Sequence, residues 1–538
     1  MTKQYRVIGP PGTGKTTYLV RQVERAVKAY GLMAVRVVSF TKAAAKVVTG
    51  RLGVSDDHVG TLHHFGHLAL QRHQTVRGIA DTVAGVRAWN EFCGRPEFVL
   101  KDTGASSADE ITGDMTPGTG VGDATFRAMN SIRSVHGSKC GEFMRPMEKA
   151  FWERWTQFKD KFNFVDFADM VEKTFDLKLP FPGDPMCIFV DEAQDFTRIQ
   201  WQLVRFWGEK ASTFVTVGDP DQVLYGWCGV EVEDFYDPPE AKEMVLSKSF
   251  RVPKAVHELA VGWIRQTPGR KDIQYEPTGE QGEISLGHPS MKETGKLSQE
   301  VFEASQDGSV AVLVTARYML DGLLNELKAC GIPFHNPYRP AEKAWNPTQS
   351  KAFDCVRALG RYSEGGQLTW LDIELICGFL DSEKCGFTHG FKAHVKSMAE
   401  GNDGDKPVFD GADGFVNGLG SWAPRHTLMG IAIGDLDWLR EHCLDSKKNA
   451  LVYPIAVATQ GDINEVPRVL VGNIHSVKGG EADCVFLCPD LSWSAFAAWE
   501  QCGREADEIR RVFYVGMTRA RRSLRIMNAA TRMAVILT

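Results

Sequence analysis

Short apolar runs that end in polar turns are the clearest pattern along this chain of 538 residues. The run at residues 5–8 leads into a glycine-rich turn and then into a helix-like segment. The run at residues 186–190 ends at two carboxylates, and a third run ends before the polar turn that starts at Asp219. Uninterrupted apolar runs of this length are typical of strands buried on both faces of a parallel sheet. The pattern predicts an α/β fold with its polar turns at the carboxyl ends of strands.

The composition is that of a globular protein, with 43% hydrophobic and 24% charged residues. Lys plus Arg number 62 and Asp plus Glu number 68, which gives a net charge of −6. This balance excludes a protein that is basic over its whole surface, but a local basic cleft remains compatible with it. The segment RRVFYVGMTRARR at residues 510–522 is strongly basic and differs from that average.

The cysteines and the lack of long apolar stretches in the sequence indicate the cellular compartment of the protein. The 12 cysteines are scattered and form no Cys-x-x-Cys pair, which fits a reducing compartment. The amino-terminal residues lack the pattern of a signal peptide, and no stretch approaches the roughly 18 apolar residues that a membrane span needs. We therefore expect a cytoplasmic protein with no membrane partner.

The glycine-rich turn after the first apolar run satisfies the phosphate-binding pattern G-x-x-x-x-G-K-[ST], with Gly9, Gly14, Lys15 and Thr16 at the defined positions. Glycines in such a turn let successive backbone N–H groups converge on phosphate oxygens at a helix N-terminus. Lys15 is expected to reach the β- and γ-phosphates, and the Thr16 hydroxyl to bind Mg²⁺. The further expected nucleotide contacts are Gly12, Thr13, Gly14 and Thr17.

A phosphate loop of this kind also needs a second magnesium ligand and a group that activates water. The sequence MCIFVDEAQDF supplies both, because Asp191 and Glu192 follow a predicted buried strand at residues 186–190. The carboxyl end of a strand is where parallel sheets place their ligands. We expect Asp191 to hold Mg²⁺ and Glu192 to polarise the attacking water.

Eight further segments resemble, in chain order, the motifs of the UvrD/Rep/PcrA group of superfamily 1 helicases. They are SFTKAAAK (39–46), GTLHHF (60–65), VDEAQDF (190–196), VGDPDQVLYGW (217–227), SFRVP (249–253), AVLVTARYMLDGLLNEL (311–327), IHSVKGGEADCVFL (474–487) and RRVFYVGMTRARRSL (510–524). With the phosphate loop they span nearly the whole chain, which makes a chance match negligible.

The resemblance implies an α/β protein with two RecA-like motor domains, in which parallel sheets are flanked by helices and each domain carries a mainly helical insertion. The expected ranges are 1–75 and 160–250 for the first motor domain, 76–159 for its insertion, 251–345 and 452–538 for the second motor domain, and 346–451 for a shortened second insertion. Stretches rich in glycine and small polar residues, at 103–123 and 400–420, lie in these insertions and predict loops.

The same resemblance assigns roles around ATP. Arg251 and Arg519 match the two arginines that reach the γ-phosphate, and such cations contribute roughly 10³–10⁵ in rate. Gln222 matches the glutamine that senses the γ-phosphate. Phe250 matches an aromatic residue that stacks on adenine, and Glu481 a carboxylate near the ribose hydroxyls.

On the DNA side, the resemblance predicts exposed rings above a positively charged track. Phe40, Tyr225 and Trp227 match the positions that stack on bases, an interaction that tolerates any sequence and contributes roughly 1–3 kcal/mol per base. The remaining predicted DNA contacts are Thr41, His63, Arg317, His475 and Lys478.

The sequence departs from the family at two adenine contacts. The glutamine-bearing segment that normally precedes the phosphate loop has no counterpart before Gly9, and Gln4 is too close to replace it. The residue after the loop threonine, often arginine in the family, is Thr17. We therefore expect weaker selectivity for the nucleotide base than in the rest of the family.

The resemblance predicts an ATP- and Mg²⁺-dependent DNA helicase or translocase that moves 3′ to 5′ on single-stranded DNA in a bacterial or phage-infected cell. Its expected partners are single strands, junctions of single- and double-stranded DNA, and proteins of repair, replication or nuclease complexes. One alternative is a DNA-stimulated ATPase switch or sensor subunit of a larger complex that unwinds little, and another is an RNA-directed enzyme. No nuclease motif follows Arg522, so a fused nuclease is not expected.

Overall fold

The computed structural model describes residues 2–55, 57–101, 120–363, 367–401, 404–407, 409 and 411–537, with the backbone alone at 42–44, 227, 361–363 and 411. The loop predicted at 103–123 falls mostly on residues 102–119, outside the described part. The loop predicted at 400–420 is described only in part, and the helix Gly411–Leu419 occupies its second half.

The described residues contain 14 strands and 21 α-helices. The strands are β1 (Lys3–Ile8), β2 (Val35–Ser39), β3 (Val59–Thr61), β4 (Gly78–Ile79), β5 (Phe164–Val165), β6 (Cys187–Asp191), β7 (Thr213–Gly218), β8 (Lys242–Val245), β9 (Glu283–His288), β10 (Val310–Val314), β11 (Phe334–His335), β12 (Val469–Asn473), β13 (Ala482–Leu487) and β14 (Ala520–Met527). The helices are α1 (Lys15–Tyr30), α2 (Lys42–Leu52), α3 (Leu62–His73), α4 (Val83–Phe92), α5 (Val121–His136), α6 (Pro146–Phe162), α7 (Phe167–Asp176), α8 (Arg198–Lys210), α9 (Val232–Tyr236), α10 (Lys254–Ile264), α11 (Thr294–Gln306), α12 (Asp321–Ala329), α13 (Lys351–Ser363), α14 (Trp370–Phe379), α15 (Phe391–Ala399), α16 (Gly411–Leu419), α17 (Arg425–Ala432), α18 (Leu436–His442), α19 (Lys448–Gln460), α20 (Trp493–Glu500) and α21 (Arg504–Met517).

The first sheet has six strands in the order β3-β2-β6-β7-β1-β8, and its neighbouring strands run parallel. Every residue of β2 and β6 is buried, as the uninterrupted apolar run at 186–190 predicted. The core beneath the sheet includes Val7, Leu19, Val37, Phe189 and Val215. Because the strands are parallel, the turns after β1, β2, β6 and β7 meet at one edge of this sheet.

Strands β9 to β14 form a second six-stranded sheet, and β4 and β5 form a small parallel pair. Strand β10 is buried throughout, and β13 pairs in parallel with β14. The α/β class predicted from the apolar runs is confirmed, with parallel sheets flanked by helices. No described helix combines the length and the apolar content that crossing a bilayer requires.

The helices between β4 and β5 have an apolar core of their own, in which aromatic rings from α4, α5 and α6 pack together. Trp89 lies 4.9 Å from Trp155 and 5.1 Å from Phe151 between ring centroids. Such ring pairs bury large apolar areas and add specific edge-to-face contacts. The range predicted as the first insertion is therefore mainly helical where it is described.

The described chain divides into two compact units. Unit 1 consists of Met1–Gly287, Leu313–Tyr318 and Asn473–Thr538, and unit 2 of His288–Val312 and Met319–Gly472. Unit 1 holds the first sheet, and unit 2 is dominated by the helices α11 to α19. The finer motor and insertion boundaries given above stay a prediction.

Candidate active site

The glycine-rich turn lies between β1 and α1, at the edge of the first sheet described above. Gly12 and Gly14 take left-handed backbone angles, with φ of 73° and 78°. A Cβ atom on Gly9 would lie 2.1 Å from Cγ of Lys15, so only glycine lets the lysine fold back over the turn. The Lys15 ammonium donates a hydrogen bond to the Gly9 carbonyl, at 2.8 Å. The turn, the lysine and the start of α1 thus form a site suited to phosphate.

The segment Ser249 to Arg251 packs directly on this turn. The Phe250 N–H donates to the Gly12 carbonyl at 2.8 Å, and the Ser249 hydroxyl donates to the Pro11 carbonyl at 2.8 Å. Phe250 is 74% exposed, an unusual position for a phenylalanine. The two residues predicted to contact the nucleotide from this segment, Phe250 and Arg251, therefore lie beside the phosphate loop.

The two acidic residues lie at the end of β6. Asp191 is the last residue of that strand and is 1% exposed. Burial, together with the neighbouring charge of Glu192, raises the pKa of Asp191 to about 7. Burial would also raise the pKa of Glu192, but the charges of Lys15 and Lys478 outweigh it and hold that pKa below its ordinary value.

The Asp191 carboxylate fits a magnesium ligand. Its Oδ1 atom is buried and has no hydrogen-bond partner among the described residues, although buried polar atoms are normally paired. Thr16 lies in the first turn of α1, where the phosphate pattern places the other ligand. Magnesium is usually held by one or two protein oxygens together with substrate phosphates and water. A buried, unpaired carboxylate oxygen at the phosphate loop meets that requirement.

Gln194 was not predicted, yet it connects the turns after β6 and β7. The side chain is fully buried, and its amide donates to Glu192 Oε2 at 2.7 Å and to Asp195 Oδ2 at 3.1 Å. Its Oε1 accepts from the Asp219 N–H at 2.9 Å. The signal in the sequence was a glutamine inside the acidic turn VDEAQD, but its partner Asp219 lies 25 residues away.

Gln222 lies between Asp219 and Arg519. Its amide donates to Asp219 Oδ2 at 2.5 Å, and its Oε1 accepts from the Arg519 guanidinium at 3.0 Å. Arg519 is 2% exposed and also donates to the carbonyls of Val515 at 3.0 Å and Gly480 at 3.2 Å. Burial raises the pKa of Asp219 to about 6. The predicted γ-phosphate sensor and one predicted arginine are therefore directly bonded.

Arg251 and Glu481 form an ion pair, with 2.6 Å between Nε and Oε2. Arg521, which was not predicted, donates to the other oxygen of Glu481 at 3.2 Å. Glu481 was expected near the ribose hydroxyls, and here its carboxylate is held by two guanidinium groups. The ribose role of Glu481 stays a prediction.

Lys478, predicted as a DNA contact, forms its bonds with residues of unit 1. Its ammonium forms an ion pair with the buried Asp195 and donates to the Gln222 carbonyl at 2.9 Å. Burial raises the pKa of Asp195 to about 6, while the lysine charge opposes that rise. Lys478 therefore joins the turns after β6 and β7.

Two of the three rings expected to stack on DNA are buried. Phe40 and Tyr225 are 8% and 5% exposed, and their centroids are 5.3 Å apart. Phe40 also packs 6.1 Å from Phe196, and Tyr225 lies 6.4 Å from His475. The expectation of solvent-facing rings is thus not met by either residue, and base stacking requires this cluster to open. The side chain of Trp227 lies outside the described part, so its role stays a prediction.

The other predicted contacts are dispersed over unit 1. The His63 ring lies edge-on to Phe167 at 5.7 Å. Thr41 and Arg317 are partly exposed, and the Thr17 hydroxyl accepts a hydrogen bond from Arg51 at 3.1 Å. Thr41, His63 and Arg317 stay predictions as DNA contacts, and Thr17 as a nucleotide contact.

Two known domain families match this chain. The AAA domain matches residues 1–227, and the UvrD-like helicase C-terminal domain matches residues 452–531. These ranges contain the phosphate loop and Gln222 in the first match, and Lys478, Glu481 and Arg519 in the second.

Individual relatives agree with these matches. DNA helicase II of Escherichia coli (strain K12) is 24% identical over 303 residues, which cover 52% of this chain and 41% of that protein. The ATP-dependent DNA helicase PcrA of Staphylococcus epidermidis (strain ATCC 35984) is 24% identical over 289 residues, covering 49% of this chain and 38% of that protein. PcrA of Staphylococcus aureus (strain Mu50) is 30% identical over 118 residues, 20% of this chain and 16% of that protein.

The matched stretches thus cover less than half the length of these relatives. Within that span, the two domain matches and the relatives agree on one family. The chain carries an AAA domain and a UvrD-like helicase C-terminal domain and is similar to the UvrD/PcrA-like helicases of superfamily 1, a likeness that implies two RecA-like motor domains.

Proposed function

We propose that this protein is an ATP-dependent DNA helicase or translocase that moves 3′ to 5′ along single-stranded DNA and separates duplex DNA. The observation that carries the proposal is the bond from Arg519 to Gln222. It links the turn after β7 to a guanidinium of the type that stabilises phosphoryl transfer. The matched relatives are described as DNA helicases, and the direction of movement rests on that family alone.

In the proposed reaction, the chain binds ATP through the N–H groups of the glycine turn and through Lys15. Lys15 leaves the Gly9 carbonyl and pairs with the β- and γ-phosphates. Thr16 and Asp191 would hold Mg²⁺, which would supply positive charge to offset that of the phosphates. Glu192 accepts the proton of the attacking water, since the charges of Lys15 and Lys478 keep it ionised.

The two arginines and Gln222 stabilise the charge that develops on the transferred phosphoryl group. Arg251 exchanges its pair with Glu481 for the γ-phosphate, and Arg519 moves from Gln222 towards the same oxygens. A planar guanidinium matches such oxygens with two parallel N–H donors. Gln222 lies three residues before Tyr225, in the turn after β7 that we call the DNA turn. A movement of Gln222 on phosphate binding therefore reaches the proposed base-stacking residues along a short stretch of chain.

The first test removes the group proposed to bind the phosphates and the group proposed to activate water. We expect Lys15→Ala and Glu192→Gln to lower ATP hydrolysis in saturating single-stranded DNA by about 10³-fold or more, because each removes a component of the phosphoryl-transfer site. The assay is phosphate release from ATP. Lys149→Ala, which changes an exposed lysine of α6, is the control and keeps wild-type turnover. Normal hydrolysis in either site variant would refute the assignment.

The second test separates the possible activities. The protein is mixed with ATP and with duplexes that carry 3′ or 5′ single-stranded tails. Strand separation and ATP hydrolysis are measured on the same samples. Separation of the 3′-tailed duplex only is expected. Strong hydrolysis without separation would instead identify the DNA-stimulated switch. Equal stimulation by poly-U and poly-dT would identify an RNA-directed enzyme.

A further inference from the structure

The last helix, α21, contacts the turn after β7 at two separate places. Beyond its carboxyl end, Arg519 bonds Gln222 as described above. At its amino end, the Arg504 guanidinium donates to the Val230 carbonyl at 3.0 Å and to Glu231 Oε1 at 3.1 Å. The helix has 14 residues and is therefore about 20 Å long. One rigid element thus spans the whole stretch from Gln222 to Glu231.

Between these two places, Glu508 fills the space next to Gly226. A Cβ atom on Gly226 would lie 1.9 Å from Oε1 of Glu508 and 2.3 Å from its carboxyl carbon. The carboxylate therefore lies against the backbone of the turn, where any other residue would place a side chain. Gly226 separates Tyr225 from Trp227, two of the predicted base-stacking residues.

The Glu508 carboxylate lies in a mostly buried setting. Burial raises its pKa to about 7, while the guanidinium groups of Arg504 and Arg511 oppose that rise and Glu505 and Asp507 add to it. A buried carboxylate beside two cations is held in place by charge as well as by packing. The proposed phosphoryl-transfer chemistry makes no use of Glu508, so its position needs another explanation.

We propose that Glu508 is a positioning residue that couples the nucleotide site to the DNA turn through α21. Arg519 follows the γ-phosphate, α21 moves with Arg519 as a hydrogen-bonded unit, and Glu508 then shifts the backbone at Gly226. This shift changes the packing of Tyr225 with Phe40 and so the access of bases to that turn. The inference rests on the proposed DNA-stimulated ATP hydrolysis.

The test compares basal and DNA-stimulated ATP hydrolysis in Glu508→Ala and Gly226→Ala. In the second variant the new methyl group displaces the Glu508 side chain, which is flexible at its far end, so the fold is retained. Coupling between sites typically amounts to 5–150-fold, so we expect stimulation by oligo-dT to fall about fivefold or more in each variant. Basal hydrolysis, nucleotide binding and the melting temperature stay near wild-type values. Glu505→Ala, an exposed glutamate on the same helix, is the control and keeps full stimulation.

The double variant Gly226→Ala/Glu508→Ala provides the decisive comparison. Both single changes remove the same contact, so the double variant is expected to be no worse than either single variant. Independent, multiplying losses would overturn the inference, as would wild-type stimulation in Glu508→Ala. If DNA fails to stimulate the wild type at all, the proposed function itself fails. If DNA stimulates the wild type and both single variants equally, only the coupling role of Glu508 fails.

Discussion

At the scale of single residues, Gln194 shows how much of the site depends on a side chain with no chemistry of its own. One amide satisfies the catalytic candidate Glu192, the buried Asp195 and the backbone of Asp219. Without this amide, each group loses a hydrogen bond, and a buried polar group left unsatisfied costs about 1–3 kcal/mol. Gln194 therefore orients the proposed base and the turn that carries Gln222.

We expect Gln194→Leu to lower DNA-stimulated turnover by about 10–100-fold, the usual loss when a group that orients a reacting residue is removed. The measurement is kcat for ATP hydrolysis at saturating oligo-dT. Gln200→Leu is the matched control, because Gln200 is also buried and its side chain caps the start of α8. A wild-type kcat in Gln194→Leu would contradict the orienting role.

At the scale of elements, the helices α5, α6 and α7 are joined by a buried network of charges. The Arg133 guanidinium donates to Asp166 at 2.7 Å, to Glu172 at 2.8 Å and to Asp169 at 3.0 Å. Lys159 donates to Asp166 at 2.7 Å and to Asp169 at 2.6 Å. The two cations hold the pKa of Asp166 far below its ordinary value despite burial. The network fixes how the helices between β4 and β5 meet α7, which continues towards β6.

Removing Arg133 from this network leaves the buried Glu172 without its cation, and leaves Asp166 and Asp169 with Lys159. We expect Arg133→Leu to destabilise the protein by about 3–5 kcal/mol, the usual effect of breaking a buried ion pair. Urea unfolding followed by circular dichroism measures it. Lys396→Ala is the control, since Lys396 and Glu400 pair through side chains that are 62% and 68% exposed, and surface pairs contribute only about 0–1 kcal/mol. Equal losses in the two variants would argue against the network.

At the scale of the whole molecule, the proposed ATP site draws on stretches of chain that are far apart in sequence. Lys478 and Asp195 are separated by 283 residues, and Arg519 and Gln222 by 297. All four belong to unit 1, which is assembled from three segments of the chain. Nucleotide binding should therefore affect both ends of the chain together.

Hydrogen–deuterium exchange with and without a non-hydrolysable ATP analogue and Mg²⁺ tests this assembly. We expect slower exchange around residues 9–17, 249–251 and 478–481, because ligand binding stabilises the segments that contact it. Helices α14 to α17 of unit 2 are the internal control and should exchange at unchanged rates. Protection confined to residues 9–17 would mean that the carboxyl-terminal segments take no part in binding.

The sequence was sufficient for features that depend on neighbouring residues. The apolar runs predicted β1, β6 and the α/β class, and local spacing placed Lys15 after the glycine turn and Asp191 at the end of β6. Contacts between distant segments could not be predicted in this way. Such contacts depend on which turns lie together at the edge of the sheet. Examples are the hydrogen bonds of Gln194, the Arg521–Glu481 pair and the burial of Phe40 and Tyr225. No local sequence pattern predicts which turns lie next to one another.

The hydrogen bond from Lys15 to the Gly9 carbonyl is relevant to how products would leave the phosphate loop. An ammonium released from phosphate at this loop finds an acceptor 2.8 Å away without crossing the turn. In the proposed reaction, departure of the products would exchange the phosphate partner of the lysine for this carbonyl, so that its charge would keep a partner in a partly buried place.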